Sequence, residues 1–599
     1  MTLGKNKKQG QSLVSGAMFL MVTTVIVHII GVLYKIPLTA TIGTVGRGYF
    51  TSAYEIYTPI YAISMAGLPV AVSKMVSERM ATGKYREVRE VRAVARKIYL
   101  ATGLIGTAVL MGLAWPYTHL DFFIHTPEAF WSVMCIAPSI LFCCMMSSYR
   151  GYYEGLRNMA PTGYSQLLET VGKLVFGLVL AKIVQKRGLA QFHTDGTVFG
   201  IPCHNMSEVS SAIAPYSSAA AIFGVTAGTI LGLIYLQIRH RTVGDGITRE
   251  MLQGSPDPAS RKSLRKSLIN FAIPVVVSSL VLNITNLIDT WSIQNRLYSA
   301  IGKNIGVVKA MYSSQLAASH ILDKDIKDFL YGCYGTALDF RNIIPTVIMT
   351  LGVSAIPVLS GAWAVKDKKK MKGAITSVLK TANSIAIPAG IAMAILAEPV
   401  LRILYVGTNA EASITISAPF VAIYGYAAIL LSISTPITNM LQAIGRADVP
   451  VKALLIGATA KIICNYTLVG IPAINIKGAP IGTLVCYAYI VCHNLVVLLK
   501  ETRVRLNWVD ILIKPLGSGI VTGLATWGTY ALFMHILPEG NIHSRNANFT
   551  WAALIAMVIF LVVWFATLLA FRVLNKNNIK NLPGGEKMSR KLEKRGLIH

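Results

Sequence analysis

The 599-residue sequence predicts an all-α polytopic membrane protein. Apolar residues make up 53% of the chain and charged residues only 14%, and apolar runs of 20 or more residues recur from Ser12 to Leu574. Basic residues gather in alternate connections between those runs. A soluble chain of this length divides into domains with far more surface charge. A run of about 20 apolar residues crosses a hydrocarbon core of about 30 Å as a helix. The net charge of +29 would suggest nucleic acid in a soluble protein, but its placement between apolar runs is explained by a bilayer, and no nucleic-acid partner is expected.

With Gly, Pro and charge clusters as punctuation, the chain reads as about fourteen transmembrane helices. They run over 12–34, 49–76, 97–115, 129–149, 161–184, 212–236, 267–294, 336–363, 374–398, 413–440, 450–470, 476–499, 511–536 and 550–574. The lead "MTLGKNKKQGQ" enters an apolar stretch too long for a signal-peptide core, so the first helix is expected to be retained. With the N-terminus in the cytoplasm, roughly 38 Lys and Arg fall inside and about 12 in outer loops, which puts both termini on the cytoplasmic side of the membrane. Six of the eight cysteines lie in apolar spans as packing residues; Cys203 and Cys333 fall in outer loops, where a disulfide is an option. No CxxC or HExxH spacing marks a metal site.

A repeat underlies the pattern. Pro59 and "GLPVAVSK" (67–74) return as Pro345 and "SAIPVLSG" (354–361), and "GLRNMAPTGYSQLLETVGK" (155–173) returns as "GRADVPVKALLIGATAK" (445–461). The offsets are 286 for Pro59 to Pro345, 288 for Pro69 to Pro357, 289 for Pro161 to Pro450 and 288 for Lys173 to Lys461. An even number of helices per half gives a parallel repeat: two pseudo-symmetric six-helix lobes, with the substrate site expected between them. The N-lobe with its cytoplasmic linker takes residues 1–266, the C-lobe 267–499, and the last two helices with a basic tail 500–599. That tail is expected to meet anionic membrane lipids. Pro59, Pro69, Pro345 and Pro357 are expected to bend helices 2 and 8, and the doubled GxxxG of "GVTAGTILG" (224–232) reads as close helix packing.

Ionisable residues inside spans mark function or internal pairing, because hydrocarbon does not solvate charge. Glu169 lies about 12 Å and Lys173 about 18 Å along the helix from Pro161, deep in the core. Their i, i+4 spacing with the acid first favours a mutual pair. One reading makes that pair, with repeat-related Lys461, an ion- or proton-coupling device; the other makes it a static brace. Asp289 and Glu55 are further carboxylates able to respond to membrane potential or bind a cation. Lys35, Lys74 and Arg341 offer cations from both halves, Arg able to bind paired oxygens through a bidentate fork and Lys acting as a point charge. Snorkelling lysines and an Arg341–Asp339 pair are the structural alternatives. His28, mid-helix, is either a hydrogen-bonded packing residue or part of the same site.

"RGYYEGLRNMAPTGYSQLLE" (150–169), "YKIPLT" (34–39), "AGLPVAVSKMVSE" (66–78), "LYGCYGTALDF" (330–340) and "IKGAPIGT" (476–483) carry a resemblance over roughly residues 12–500. The chain resembles the oligosaccharide flippase branch of the MOP superfamily, in the group of stage V sporulation protein B and the MurJ-type lipid II flippases. The resemblance implies a non-enzymatic transporter moving an undecaprenyl-pyrophosphate-linked saccharide from inner to outer leaflet by alternating access. It implies no cofactor beyond an ion gradient or membrane potential, and a monomer is expected. His28 and Tyr34 stand where that branch carries arginines, with Lys35 adjacent, and Arg341 is the counterpart in helix 8. Two other classes stay open: a cation-coupled drug exporter of the same superfamily, and a membrane glycosyl or acyl transferase using Asp323 and Asp325 of "HILDKDIKDF" (320–329) to hold a divalent metal. Those acids equally fit a charged helix face in an outer loop.

Overall fold

The computed structural model describes residues 13–65, 67–120, 122–536 and 542–571. The basic lead and the C-terminal tail lie outside the described residues. Apart from a two-stranded hairpin, the regular structure is helical: α1 (Leu13–Met65), α2 (Leu68–Ala81), α3 (Tyr85–His119), α4 (Phe130–Ile136), α5 (Pro138–Gly155), α6 (Ala160–Asp195), α7 (Met206–Thr242), α8 (Arg249–Gln253), α9 (Arg261–Lys303), α10 (Ile305–Met311), α11 (Ser313–Ala318), α12 (Ile326–Arg341), α13 (Ile343–Ala364), α14 (Lys368–Ile395), α15 (Ala397–Tyr405), α16 (Ile414–Ala443), α17 (Asp448–Cys464), α18 (Gly478–Thr502), α19 (Lys514–Ile536) and α20 (Ile542–Ala570). Among the described residues ten helical runs are long and apolar enough to cross a membrane. They do not include α6, whose interior carries Gln166, Glu169 and Lys173, although α6, α9 and α13 lie where spans were expected.

The chain divides into two compact units, Met1–Asn295 with Ser319–Gly332, and Arg296–Ala318 with Cys333–His599. Unit 1 opens on a helical hairpin. The sequence reading placed a connection at 35–48, but α1 is helical through Met65 apart from Gly43, whose φ of 71° and ψ of 174° leave the helical region. Tyr34 and Tyr54 would stand about 30 Å apart on a straight helix, yet Lys173 Nζ lies 5.4 Å from one ring and 5.0 Å from the other. The chain therefore reverses at Gly43, a backbone conformation that glycine tolerates. A second break, with Gly67 left-handed, puts Pro69 in the first turn of α2. Pro345 likewise falls in the first turn of α13. These two prolines start helices instead of bending them, since a proline in the first turn forfeits no helical hydrogen bond. Pro59 does lie inside α1.

The core of unit 1 forms around Leu38, Tyr99, Tyr152 and Ala221, all essentially inaccessible. The 196–205 connection carries a small antiparallel hairpin, β1 (Thr197–Val198) with β2 (Ile201–Pro202). The connection after α7 is anchored along α3: Arg86 donates to Leu252 O and Asp257, and Arg261 pairs with Glu90 at 2.7 Å.

The acidic segment 320–329 departs from its expected solvated face. Asp325, Lys327 and Asp328 are buried within unit 1. Lys327 Nζ donates to Ile124 O at 2.6 Å and to His125 O at 2.8 Å, and lies 3.5 Å from Asp328. Asp328 also accepts from Thr126 Oγ1 at 3.1 Å. Burial pushes the Asp328 carboxyl up to about 6 against the opposing pull of Lys327. The reason is backbone proximity: a Cβ at Gly48 would collide with Asp328 O, and one at Gly332 with Thr44 O. All eight cysteines are free thiols, so Cys203 and Cys333 do not pair.

In unit 2, α13, α14, α16 and α18 build the apolar interior around Leu379, Ile437 and Leu498. The last two expected spans, α19 and α20, pack here. Gly519 and Gly523 face Ile387 and Ile391 of α14, and Trp564 Nε1 donates to Ser384 O at 3.0 Å. A π-helical turn at Asn465–Val469 follows α17 and leaves Asn465 fully buried.

Candidate functional site

The charged interior of unit 1 is built on glycine. A Cβ at Gly224 would stand 2.9 Å from Lys173 O, and one at Gly228 would stand 2.8 Å from Lys173 N. The doubled GxxxG of α7 thus lies backbone to backbone against the turn of α6 that carries Glu169 and Lys173. Small residues are what allow such an approach, and the contact fixes where both side chains emanate.

The expected Glu169–Lys173 pair is not formed. Glu169 Oε2 instead accepts from Arg150 of α5 at 2.8 Å, and Arg150 Nε donates to Ser165 Oγ at 2.9 Å. Sequence reading stopped the fourth span at 149 and assigned Arg150 to a connection, but α5 continues to Gly155. A guanidinium reaching across from a neighbouring helix gives directed hydrogen bonds that an ammonium on the same helix does not match. Lys173 turns the other way, onto the rings of Tyr34 and Tyr54. Among the described residues it makes no ion pair. Tyr34 is buried and 3.5 Å from Ala221 O.

Tyr54 belongs to an aromatic ladder down the second arm of the hairpin: Phe50–Tyr54 at 5.9 Å, Tyr54–Tyr57 at 5.6 Å and Tyr57–Tyr61 at 5.4 Å between centroids. Arg47 sits at its head, buried, with its guanidinium carbon 5.5 Å from the Phe50 ring centre. Aromatic faces attract cations most strongly where water is excluded. Arg47 was missed because it fell in the expected connection; the 50, 54, 57, 61 spacing was the available signal for a helix continuing through it. The site therefore brings Arg150, Glu169 and Lys173 together with two tyrosines, and its cations outnumber its carboxylate.

The other sequence candidates lie on α1, α2, α9, α12 and α17. His28 is exposed, its Nδ1 2.8 Å from Thr24 O. Lys74 lies 3.8 Å from Glu78 and 4.6 Å from the Phe271 ring centre, its side chain half exposed. Lys35 and Glu55 are half-buried on α1, and Asp289 is buried on α9. In unit 2, Arg341 ends α12 half-buried, and Lys461 is buried in the last turn of α17.

Residues 13–363, more than half the chain, match the family described as polysaccharide biosynthesis protein. The chain belongs to this polysaccharide biosynthesis family. Residues 332–467 also match the MatE family, and both matches place it among MOP-superfamily transporters. The lipid II flippase MurJ of Bacillus subtilis is 23% identical over 486 residues, 79% of this chain and 80% of that one. Stage V sporulation protein B of the same organism is 21% identical over 588 residues, 96% of this chain and 98% of that one. Among solved structures, a lipid II flippase MurJ in an inward closed conformation aligns over 92% of this chain and 98% of its own, with a TM-score of 0.58 at 14% identity. An inward-facing multidrug resistance MATE transporter of the MOP superfamily aligns over 80% of this chain and 98% of its own, with a TM-score of 0.52 at 14% identity. These likenesses establish the fold of this family member as MOP-like, a multi-pass membrane protein with bacterial homologues.

Proposed function

We propose that this transporter flips an undecaprenyl-pyrophosphate-linked saccharide, a lipid II-like peptidoglycan precursor or a related oligosaccharide, from the inner to the outer leaflet by alternating access. It works from a bacterial plasma membrane, as a monomer with fourteen helices in two six-helix lobes plus two, both termini cytoplasmic. The observation that carries the reading is Lys173: an ammonium inside unit 1, held by tyrosine faces and released from Glu169 by Arg150. A surplus cation, half-buried on a helix expected to span the membrane, favours an anionic cargo and disfavours the cationic drugs an exporter would carry.

In this reading Lys35, Lys74 and Arg341 engage the diphosphate, with His28 and Glu55 flanking. Glu169, Lys173, Asp289 and Lys461 couple headgroup occupancy to an ion gradient or the membrane potential. Anionic membrane lipids are met by the basic C-terminal segment.

The test is reconstitution of the full chain in vesicles with a fluorescent lipid-linked saccharide in the inner leaflet. The expected result is redistribution of unaltered lipid to the outer leaflet. Transport of a soluble cationic drug, or a change in the lipid's mass, would replace this function with another. Rescue of cells depleted of their lipid II flippase separates a peptidoglycan cargo from other saccharides.

A further inference from the structure

At the end of unit 1 formed by the α2–α3 turn and the α7–α8 connection, two sets of arginines stand out beside the Arg79–Glu87 pair of the turn itself. Arg86, Arg89 and Arg261 hold the connection, through Asp257 at 2.9 Å, Asp245 at 3.5 Å and Glu90 at 2.7 Å respectively. Arg92, Arg96 and Arg239 make no ion pair among the described residues. Asp245, which shares Tyr152 as a neighbour with Arg92, is already taken: besides Arg89 it accepts from Tyr152 Oη at 2.9 Å and from Ile247 N at 3.1 Å.

Arg92 is nevertheless held in a built setting. Its guanidinium carbon lies 5.2 Å from the Tyr149 ring centre and 5.3 Å from that of Tyr152. Its Nη1 meets His240 Nε2. Arginine only donates, so His240 Nε2 accepts and the ring proton resides on Nδ1. Nδ1 then donates to Tyr153 Oη at 2.9 Å, and Tyr153 Oη donates to Gly244 O at 3.2 Å. This chain of donors uses one of the five N–H groups of Arg92 and fixes the plane of the rest. Arg239, adjacent to His240, has a buried Nε with no hydrogen-bond partner. Arg96 lies one turn along α3 from Arg92, exposed, at the residue before the expected start of the third span.

We propose that Arg92, Arg96 and Arg239 form a binding site for the phosphate of an anionic phospholipid headgroup in the inner leaflet. The depth argues for it: where the apolar run of α3 begins is where headgroup phosphates lie. The donor set argues for it as well, because a fixed guanidinium fork matches two phosphate oxygens, and basic pockets between spanning helices on this side take such headgroups. The assignment rests on the cytoplasmic placement of this end, not on the identity of the cargo.

The test uses the purified full-length chain in neutral detergent, titrated with phosphatidylglycerol, with retained lipid counted by native mass spectrometry and the thermal midpoint followed in parallel. The wild type is expected to retain the lipid and gain in midpoint. The R92Q/R239Q variant is expected to bind about tenfold more weakly or not at all. Neutralising the exposed lysines in K368Q/K369Q/K370Q removes more charge and should leave retention unchanged. Where R92Q/R239Q does not elute as a folded species, R92K keeps the charge, removes the fork and is expected to weaken retention. Equal retention by wild type and the arginine variants overturns the site. An equal midpoint gain from sodium phosphate alone, at matched ionic strength, overturns the lipid assignment in favour of a free-phosphate site.

Discussion

Arg150 Nη2 stands 2.8 Å from Glu169 Oε2, joining α5 to α6 across unit 1. The i, i+4 neighbour Lys173 is left to two tyrosine rings. One carboxylate is thus satisfied by the guanidinium, and the second positive charge stays uncancelled inside a transporter. Three groups that a local reading would fold into a neutral pair plus a surface arginine become a brace and a separate charge.

The brace has a measurable strength. Arg150→Gln removes a charge-assisted hydrogen bond and is expected to lower stability by about 2 kcal/mol. The double variant Arg150→Gln/Glu169→Gln should recover part of that loss, as expected for groups in direct contact. Thermal unfolding in detergent measures both. An unchanged Arg150→Gln protein would mean that Lys173 serves Glu169 equally well.

Lys173 is expected to affect transport more than folding. Lys173→Gln removes the charge but keeps the length, and should slow lipid-linked saccharide flipping at least tenfold, equivalent to about 1.4 kcal/mol in the barrier. Lys173→Arg should retain part of the activity. Vesicle redistribution rates, normalised to folded protein, check the order.

The α6–α7 contact tolerates no side chain. Gly228→Val would drive a branched side chain into the backbone at Glu169 and Lys173. A loss of about 3 kcal/mol or failure to accumulate in the membrane is expected from such overpacking. A Cβ at Gly112 of α3 would meet nothing within 4 Å, and Gly112→Ala is the matched control that should leave the midpoint nearly unchanged.

Acid should strengthen the buried segment at Asp328. Its folded value of about 6 lies above the ordinary 3.8, so the folded state holds the proton more tightly than the unfolded chain. The stabilisation is full below 3.8 and is lost as pH rises through about 6. Asp328→Asn should flatten the pH dependence of the thermal midpoint over that window. A slope of the same size in the variant would assign the effect to other groups.

Much of this was legible from the residues in order. Helix positions followed from apolar run length, and the glycines at 224 and 228 announced a close helix contact because nothing else explains small residues at that spacing. Glu169 and Lys173 stood out because charge inside a span demands an explanation. Their partners did not stand out. Arg150 lies one residue past the expected end of a span, and Arg47 sits where a loop was expected because a single glycine performs the reversal. Asp325, Lys327 and Asp328 fall in a charge-rich run that reads as a solvated helix face. Their burial arises from a segment returning to residues 44–48 and 124–126, a long-range contact that no local pattern encodes.

The turn at Gly43 also decides where the molecule accepts foreign sequence. With no loop between the two arms, an epitope or reporter inserted between Gly43 and Gly48 would pry the tyrosines off Lys173 and push Gly48 away from the Asp328 backbone. The β1–β2 hairpin is a better host: Ile201 and Pro202 are exposed and Gly200 already adopts a φ of 86°. A tag placed there can report membrane sidedness from living cells while the charged interior stays assembled.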